Sequence, residues 1–394
     1  MLQPSHLEYL LQRILATSDS ISDINITEGH PFQVEIDGQL APVFFEPNIE
    51  SLTAVQTEAI AICLVRSNRR LLRTLLSTGS CDLSYSIAGK ARFRVNIFSQ
   101  QGKYSVVMRR LENEIKTLED LNMPKPFYQM AEEKNGMVII SGSTSSGKST
   151  TLAAVLDEIN NSKAVHIVTL EDPVEFIHPA KKATFNQREL GMDFHDFAYG
   201  LRAAMRQAPK VILIGEIRDR ETLEIALAAS ETGHLVFATI HASDAASTVS
   251  RILGFFDLEE ERQIRVRLAG VLRWVVTQRL MPQIGGGRVA AMEIMGSTLL
   301  IKDIIINGEA EDKNLYNAIA SMRPMGFQTF DQHILDLFHK KVISEETARV
   351  FSSKKSVVSR GLDTIRAESG DIDGDDKLIL ESDEPASAEG AQTH

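Results

Sequence analysis

Cysteine is scarce: only Cys63 and Cys81 occur in 394 residues, so no disulfide framework is implied, and the length is enough for two or three domains that each bury a core without one. No stretch approaches the ~18 uninterrupted apolar residues of a spanning helix, and the N-terminal MLQPSHLEYLLQRIL lacks a basic region leading into an apolar one. The expected location is therefore cytoplasmic. An excess of positive charge is also missing. The formal net charge is −11, and residues 367–394 hold nine acids against Lys377, a net −8, which leaves only about −3 for the rest. A nearly neutral body has no electrostatic footprint for gripping nucleic acid, so no nucleic-acid partner is expected. With almost no large apolar residues, the acidic end cannot offset its ordering entropy. Residues 361–394 are expected to form an acidic disordered tail, serving solubility or docking to a basic partner.

Residues 1–110 mix short periodic segments with turns. Leu7, Leu10, Leu11 and Ile14 fall at helical spacing, ISDINIT alternates like a strand, and FQVEIDGQL carries an Asp37-Gly38 turn. A helical pattern runs from about Thr53 to Leu76 and stops near Gly79. CDLSYSI and ARFRVNIFSQ then read as a hairpin through Ala88-Gly89-Lys90, and YSVVMRRL as another strand. Together these predict a smaller α+β domain. The polar, proline-containing residues 111–135 read as a linker.

From Gly136 the rhythm becomes apolar strand, loop, helix, repeated. MVII, VHIVTL, VILIG and LVFATI are continuous apolar runs, as expected for a parallel sheet covered on both faces. Phe197, Leu201 and Met205 mark one amphipathic helix, and Arg220 to Thr232 another, closed by Gly233. This α/β pattern predicts a RecA-like P-loop domain over 136–360, with a helical C-terminal portion at 262–281, 298–307 and 329–352.

The strongest chemical signal joins the strand MVII to the helix-like stretch from Thr150. Gly142, Ser143, Thr144, Ser145, Ser146, Gly147, Lys148 and Ser149 spell G-x-x-x-x-G-K-S, a loop whose backbone N–H groups and following helix dipole attract phosphate oxygens. This predicts a nucleoside triphosphate with Mg²⁺ as the ligand, with Lys148 on the β- and γ-phosphates and Ser149 on Mg²⁺; the resemblance below implies ATP. Thr150 adjoins the same phosphates.

Ligands of a parallel sheet sit beyond the carboxyl ends of its strands, and those ends are polar here. Glu216 follows VILIG, as a Walker B carboxylate that orients or deprotonates attacking water would. Gly215 stands where Asp is usual, so a further contact to Mg²⁺ is assigned to Glu171, although an acidic turn before Pro173 explains Glu171 and Asp172 equally well from local sequence. His241, after LVFATI, is placed to sense a γ-phosphate; His234, before that run, reads on spacing alone as a packed structural histidine rather than a site residue. Arg92, Arg94, Arg109 and Arg110 lie on the last strands of the first domain, either as a solvated face or as donors to a phosphate bound elsewhere.

The P-loop, TLEDPVEF, NQREL, LRAAMRQAPKVILIGEIRDRET and ETGHLVFATIHASDA together resemble the type IV pilus retraction ATPases, the PilT/PilU family of the secretion superfamily, over residues 1 to about 350. SDINITEG, ARFRVN, GGGRVAAMEIM and GFQTFDQ extend the likeness. The resemblance implies a PAS-like N-terminal domain, a RecA-like ATPase domain, and a homo-hexameric ring that hydrolyses ATP at the inner membrane, on a platform protein of the pilus machine. It assigns Glu171 to the Asp box, Glu216 to Walker B, His234 and His241 to the His box, and Arg92, Arg94 and Arg109 to arginines that approach nucleotide across an interface. Where the family loop commonly reads GPTGSGKST, this chain has Ser143 and Ser145. A positive φ at Ser145 would strain the loop and lower nucleotide affinity. RQAP, RDRET and the acidic tail look more like PilU, the accessory partner of a paralogous motor ATPase, whereas IGGGRVAAMEIM and ETGHLVFATIH look more like PilT. An assembly or secretion ATPase is one rival, but the four-cysteine zinc motif common in extension ATPases is not met by two cysteines; the other, prompted by the serines of the loop, is a nucleotide-gated structural partner of another motor with little ATPase activity.

Overall fold

The computed structural model describes residues 2–44, 49–66, 68–111 and 114–369. Helix α1 (Pro4–Leu15) starts on Pro4 and buries Leu7, Leu11 and Ile14. Strands β1 (Ile21–Ile26), β2 (Gln33–Ile36) and β3 (Gln39–Pro42) follow, then α2 (Ala54–Val65), α3 (Arg69–Thr78), β4 (Ser80–Ile87), β5 (Ala91–Gln100) and β6 (Lys103–Leu111). The strands form one sheet in the order β3-β2-β1-β6-β5-β4. Asp37 and Gly38 take φ of 51° and 77° between β2 and β3, the left-handed pair that tight hairpins use. Alternate residues of β4 to β6 pack beneath α1 and α2, among them Leu83, Phe93, Val95 and Met108, and the opposite face carries Arg94 directly across from Arg109.

The helix expected from Thr53 to Leu76 is two helices. Arg66 adopts φ 54°, and the Asn68 side chain accepts from the amides of Arg70 and Leu71 to start α3. A residue able to cap its own downstream backbone competes with a continuous helix.

The second sheet has seven strands in the order β13-β12-β7-β11-β10-β8-β9. They and their helices run α4 (Pro126–Glu132), β7 (Gly136–Gly142), α5 (Lys148–Ser162), β8 (His166–Glu171), β9 (Thr184–Glu189), α6 (Phe197–Met205), β10 (Val211–Ile214), α7 (Arg220–Glu231), β11 (Leu235–Ile240), α8 (Ala245–Leu253), α9 (Leu258–Val271), β12 (Leu272–Pro282) and β13 (Arg288–Gly296). The parallel set β12-β7-β11-β10-β8-β9 is closed at one edge by antiparallel β13. All seven residues of β7 are buried, as its continuous apolar run required, and each such Val or Ile contributes roughly 1.5–3 kcal/mol by leaving water.

Three sequence expectations change here. The helix expected over 262–281 stops at Val271, because Trp274-Val275-Val276-Thr277, rich in β-branched residues, pairs with β7 and β13 instead. The expected linker 111–135 contains α4, whose Phe127 and Met130 belong to the core of the second sheet. Among the described residues, five α-helices follow β13: α10 (Leu299–Asn307), α11 (Leu315–Ser321), α12 (Phe330–His339), α13 (Glu345–Phe351) and α14 (Lys355–Ser369). Helix α14 thus occupies the first residues of the tail expected from 361, and residues 370–394 of that tail lie outside the described residues.

Candidate functional site

The loop between β7 and α5 is built to leave donors open. Gly147, at φ 91°, precedes α5, which has no side-chain cap, so its first-turn amides lack intrahelical partners and face outward with the positive end of the helix dipole. A Cβ on Gly142 would lie 2.5 Å from Ser146 Oγ and 2.6 Å from the Gln278 carbonyl, so this corner admits only glycine. Ser146 Oγ is buried without a hydrogen-bond partner, Ser143 to Ser145 form the exposed rim, and Ser149 and Thr150 are half-buried on the first helical turn. An anion-binding cradle with an open hydroxyl fits a nucleotide phosphate. Ser145 has φ 61°, the strained left-handed conformation that the sequence reading tied to its departure from glycine.

Lys148 is folded back over this loop. Its Nζ donates to the carbonyls of Gly142 at 3.0 Å and Ser143 at 2.8 Å. Burial lowers its pKa, while the charges of Glu216 and Glu175 pull the other way. Both carboxylates therefore lie within electrostatic reach of the lysine.

Three strand ends bring the acidic and imidazole groups to the same place. His241, just past β11, places Nδ1 3.2 Å from the Gly142 carbonyl and Nε2 3.4 Å from Glu216 Oε1. Glu216, just past β10, accepts from Arg218 Nε at 2.8 Å, and Arg218 also lies 3.7 Å from Asp172. Gly215 is closely packed: a Cβ would stand 3.1 Å from the Leu170 carbonyl and 3.2 Å from Glu171 Cα, so a side chain there requires the neighbouring backbone to give by a few tenths of an ångström. That crowding favours glycine over aspartate before Glu216. At the end of β8, Glu171 accepts from Thr169 Oγ1 at 2.6 Å and Gln187 Nε2 at 3.3 Å. Burial raises its pKa to about 7, against the lowering effect of these hydrogen bonds. Among the described residues no cluster of three His, Cys, Asp or Glu side chains forms a metal site. A cation here would rely on phosphate oxygens together with Ser149 and Glu171.

The arginines divide. Arg92 donates to the carbonyls of Glu175 and Val174, both at 2.7 Å, and is thereby held against the turn after Glu171. Arg94 is exposed and close enough to Asp172 to lower that acid's pKa, which burial raises. Arg109 is paired with Asp23 at 2.9 Å, and Arg110 donates to the Asp19 carbonyl. His234 does not join the group. It precedes β11 and contacts Ala229 O at 3.0 Å, at the far end of a six-residue strand, roughly 20 Å from the loop at ~3.3 Å per residue. Its packed position matches the structural alternative. Arg218, Thr169 and Gln187 were not singled out from the sequence. Arg218 and Thr169 each stand two residues from a carboxylate already noted, and that spacing was the available signal; Gln187 lies in the NQREL segment that carries the family resemblance, which gave it no role of its own.

Comparison with known proteins places these features in context. The family model described as "Type II/IV secretion system protein" matches residues 30–326. The chain is 41% identical over 331 residues to the type IV pilus retraction ATPase PilT of Pseudomonas aeruginosa, covering 83% of this chain and 93% of that protein. It is 37% identical over 328 residues to the type IV pilus ATPase PilU of the same organism, covering 83% and 84%. The crystal structure of the pilus retraction motor PilT with bound ADP superposes with a TM-score of 0.79 at 36% identity, covering 91% of this chain and all of that one.

Proposed function

The chain belongs to the type II/IV secretion system protein family, and from that premise we propose that it is an ATP-hydrolysing motor that drives type IV pilus retraction. The observation that carries the reading is the junction of Gly142, His241 and Glu216, which sets a carboxylate and an imidazole against the phosphate loop. The similarity to PilT and PilU supports the retraction assignment over assembly.

Lys148, released from the Gly142 and Ser143 carbonyls, transfers its donors to the β- and γ-phosphates of ATP. Ser149 and Glu171 are the residues that would hold Mg²⁺, which would supply positive charge against that developing on the phosphate oxygens. Glu216 leaves Arg218 and orients the attacking water, while His241 donates toward the γ-phosphate. The freed Arg218 can follow the charge. Arg94 and Arg109, on the open face of the first sheet, close on phosphates at the seam with a neighbouring subunit of a homo-hexamer, so hydrolysis is coupled to rotation of one domain on another. The ring works in the cytoplasm at the inner membrane, against a platform protein of the pilus machine.

The left-handed Ser145 favours a second form of this reading, in which the chain is the accessory partner of a paralogous motor ATPase and turns over slowly alone. Deletion in the source organism separates the main alternatives: excess unretracted pili supports retraction, and loss of pili supports assembly. Turnover measured with and without the paralogue separates primary from accessory motor.

A further inference from the structure

Glu189, at the end of edge strand β9, is only 7% exposed, yet its carboxylate serves two domains. Oε1 accepts from the Ser84 amide at 3.1 Å, and Oε2 accepts from Ser84 Oγ at 2.6 Å and from the Val174 amide at 3.2 Å. Ser84 lies on β4 of the first sheet; Val174 lies in the turn that follows Glu171. Arg92 grips that same turn through the carbonyls of Val174 and Glu175, and its charge interacts with that of Glu189, so the buried carboxylate has both donors and a countercharge.

Gln187, two residues back on the same face of β9, holds the rest of the turn. Its side chain donates to Phe176 O at 2.7 Å and to Glu171 Oε1 at 3.3 Å, and accepts from the His178 amide at 3.0 Å. Other bonds across the domain seam, from Arg70 to Phe194 O and from Asn68 to Met192 Sδ, reach the turn after β9. They bypass the segment carrying Glu171.

We propose that Glu189 is a positioning residue for ATP hydrolysis: it ties β4 of the N-terminal domain to the turn after Glu171, so that a shift of that domain moves the carboxylate at the phosphate site. The proposal rests on the ATPase reading above. Three donors converge on two carboxylate oxygens, so the first domain cannot leave β9 without disturbing the group that holds Val174. A glutamine would turn an NH₂ group toward one of those donors and break one tie.

The test uses the full chain with Ser84→Ala, Glu189→Gln and both together. Hydrogen exchange is followed in the segment 172–178, beside kcat and KM for ATP. Each single variant is expected to speed exchange in that segment and to lower kcat, by about tenfold for Glu189→Gln, with KM within about twofold, as for a small displacement of a reacting group. The double variant should be no slower than Glu189→Gln alone, because both changes cut one linkage. Unchanged exchange and kcat in Ser84→Ala, or fully additive losses, would overturn the proposal. If Glu189→Gln does not fold, Ser84→Ala, which removes a single hydroxyl from the other domain, decides by itself. Wild-type protein without turnover overturns the ATPase reading and this role together, whereas an active wild type with an indifferent Ser84→Ala overturns this role alone.

Discussion

His241 and Glu216 face one another across 3.4 Å, and the same imidazole reaches the phosphate-loop carbonyl of Gly142 through its other nitrogen. Two strand ends and the loop are thus joined through one ring. Replacing Glu216 by Gln keeps its shape and its contact to Arg218 but removes the charge that orients water. Turnover should fall by about 100-fold or more while ATP still binds, and His241→Ala should cost about 100-fold, the lower end of the scale of one positioned proton-transfer or hydrogen-bonding group. Steady-state kinetics with a parallel binding titration checks both. Retained turnover in Glu216→Gln would remove that residue from its role.

Ser145 holds a conformation that costs a residue bearing a Cβ about 1–2 kcal/mol relative to glycine. Where the free loop relaxes and nucleotide binding restores the strained form, Ser145→Gly should tighten nucleotide binding by up to about tenfold, since ~1.4 kcal/mol is one decade of affinity. Titration with a fluorescent nucleotide reads this directly, and an unchanged affinity would place the strain equally in the free and bound loop.

Burial raises Glu171 and Glu293 to about 7 from an ordinary 4.5. Each folded-state carboxyl keeps its proton where the unfolded chain has lost it. The associated stability is complete below pH 4.5 and is lost as pH rises through about 7. Each group should give a slope of up to about 1.4 kcal/mol per pH unit within that window. Glu293→Gln should therefore gain on wild type between pH 5 and pH 8 in denaturant unfolding. A wild-type-minus-variant difference that does not change with pH would contradict the shift. His178 and His333, lowered to about 4 by burial, act in the opposite sense and cancel in the difference.

Asp331 is fully buried and accepts from Tyr316 Oη at 2.8 Å, from the Ser353 amide at 2.7 Å and from the Lys354 amide at 3.0 Å. It seats the start of α14 on α12. Asp331→Ala leaves three donors unpaired and should destabilise the C-terminal helices by about 3–5 kcal/mol, as when one partner of a buried charged network is removed. Thermal unfolding together with exchange across 353–369 would detect it.

The loop from Gly142 to Ser149 was readable from sequence because its chemistry is local: glycines at corners, a lysine at the helix start, and an apolar strand before it. Glu216 and His241 were readable for a related reason, since each follows a run apolar enough to declare where its strand ends. β9 was not readable, because TFNQRE is a polar edge strand with a weak pattern. The switch at Leu272 from α9 to β12 was also hidden, because Val275 and Val276 are buried by pairing with β7 and β13, which only the assembled sheet supplies. Arg218, Gln187 and Glu189 depend on contacts between segments 2 to 105 residues apart, and local spacing revealed only the nearest of these.

On the proposed function, ATP cleaved at this loop powers pilus withdrawal. Its most direct measurement is pilus retraction in cells that lack every related motor and carry this chain with or without Lys148→Ala, alongside the paralogue if it is required. Retraction is expected with the native lysine and none with alanine, with pili accumulating as in the deletion. Withdrawal that continues at the native rate with Lys148→Ala would contradict it.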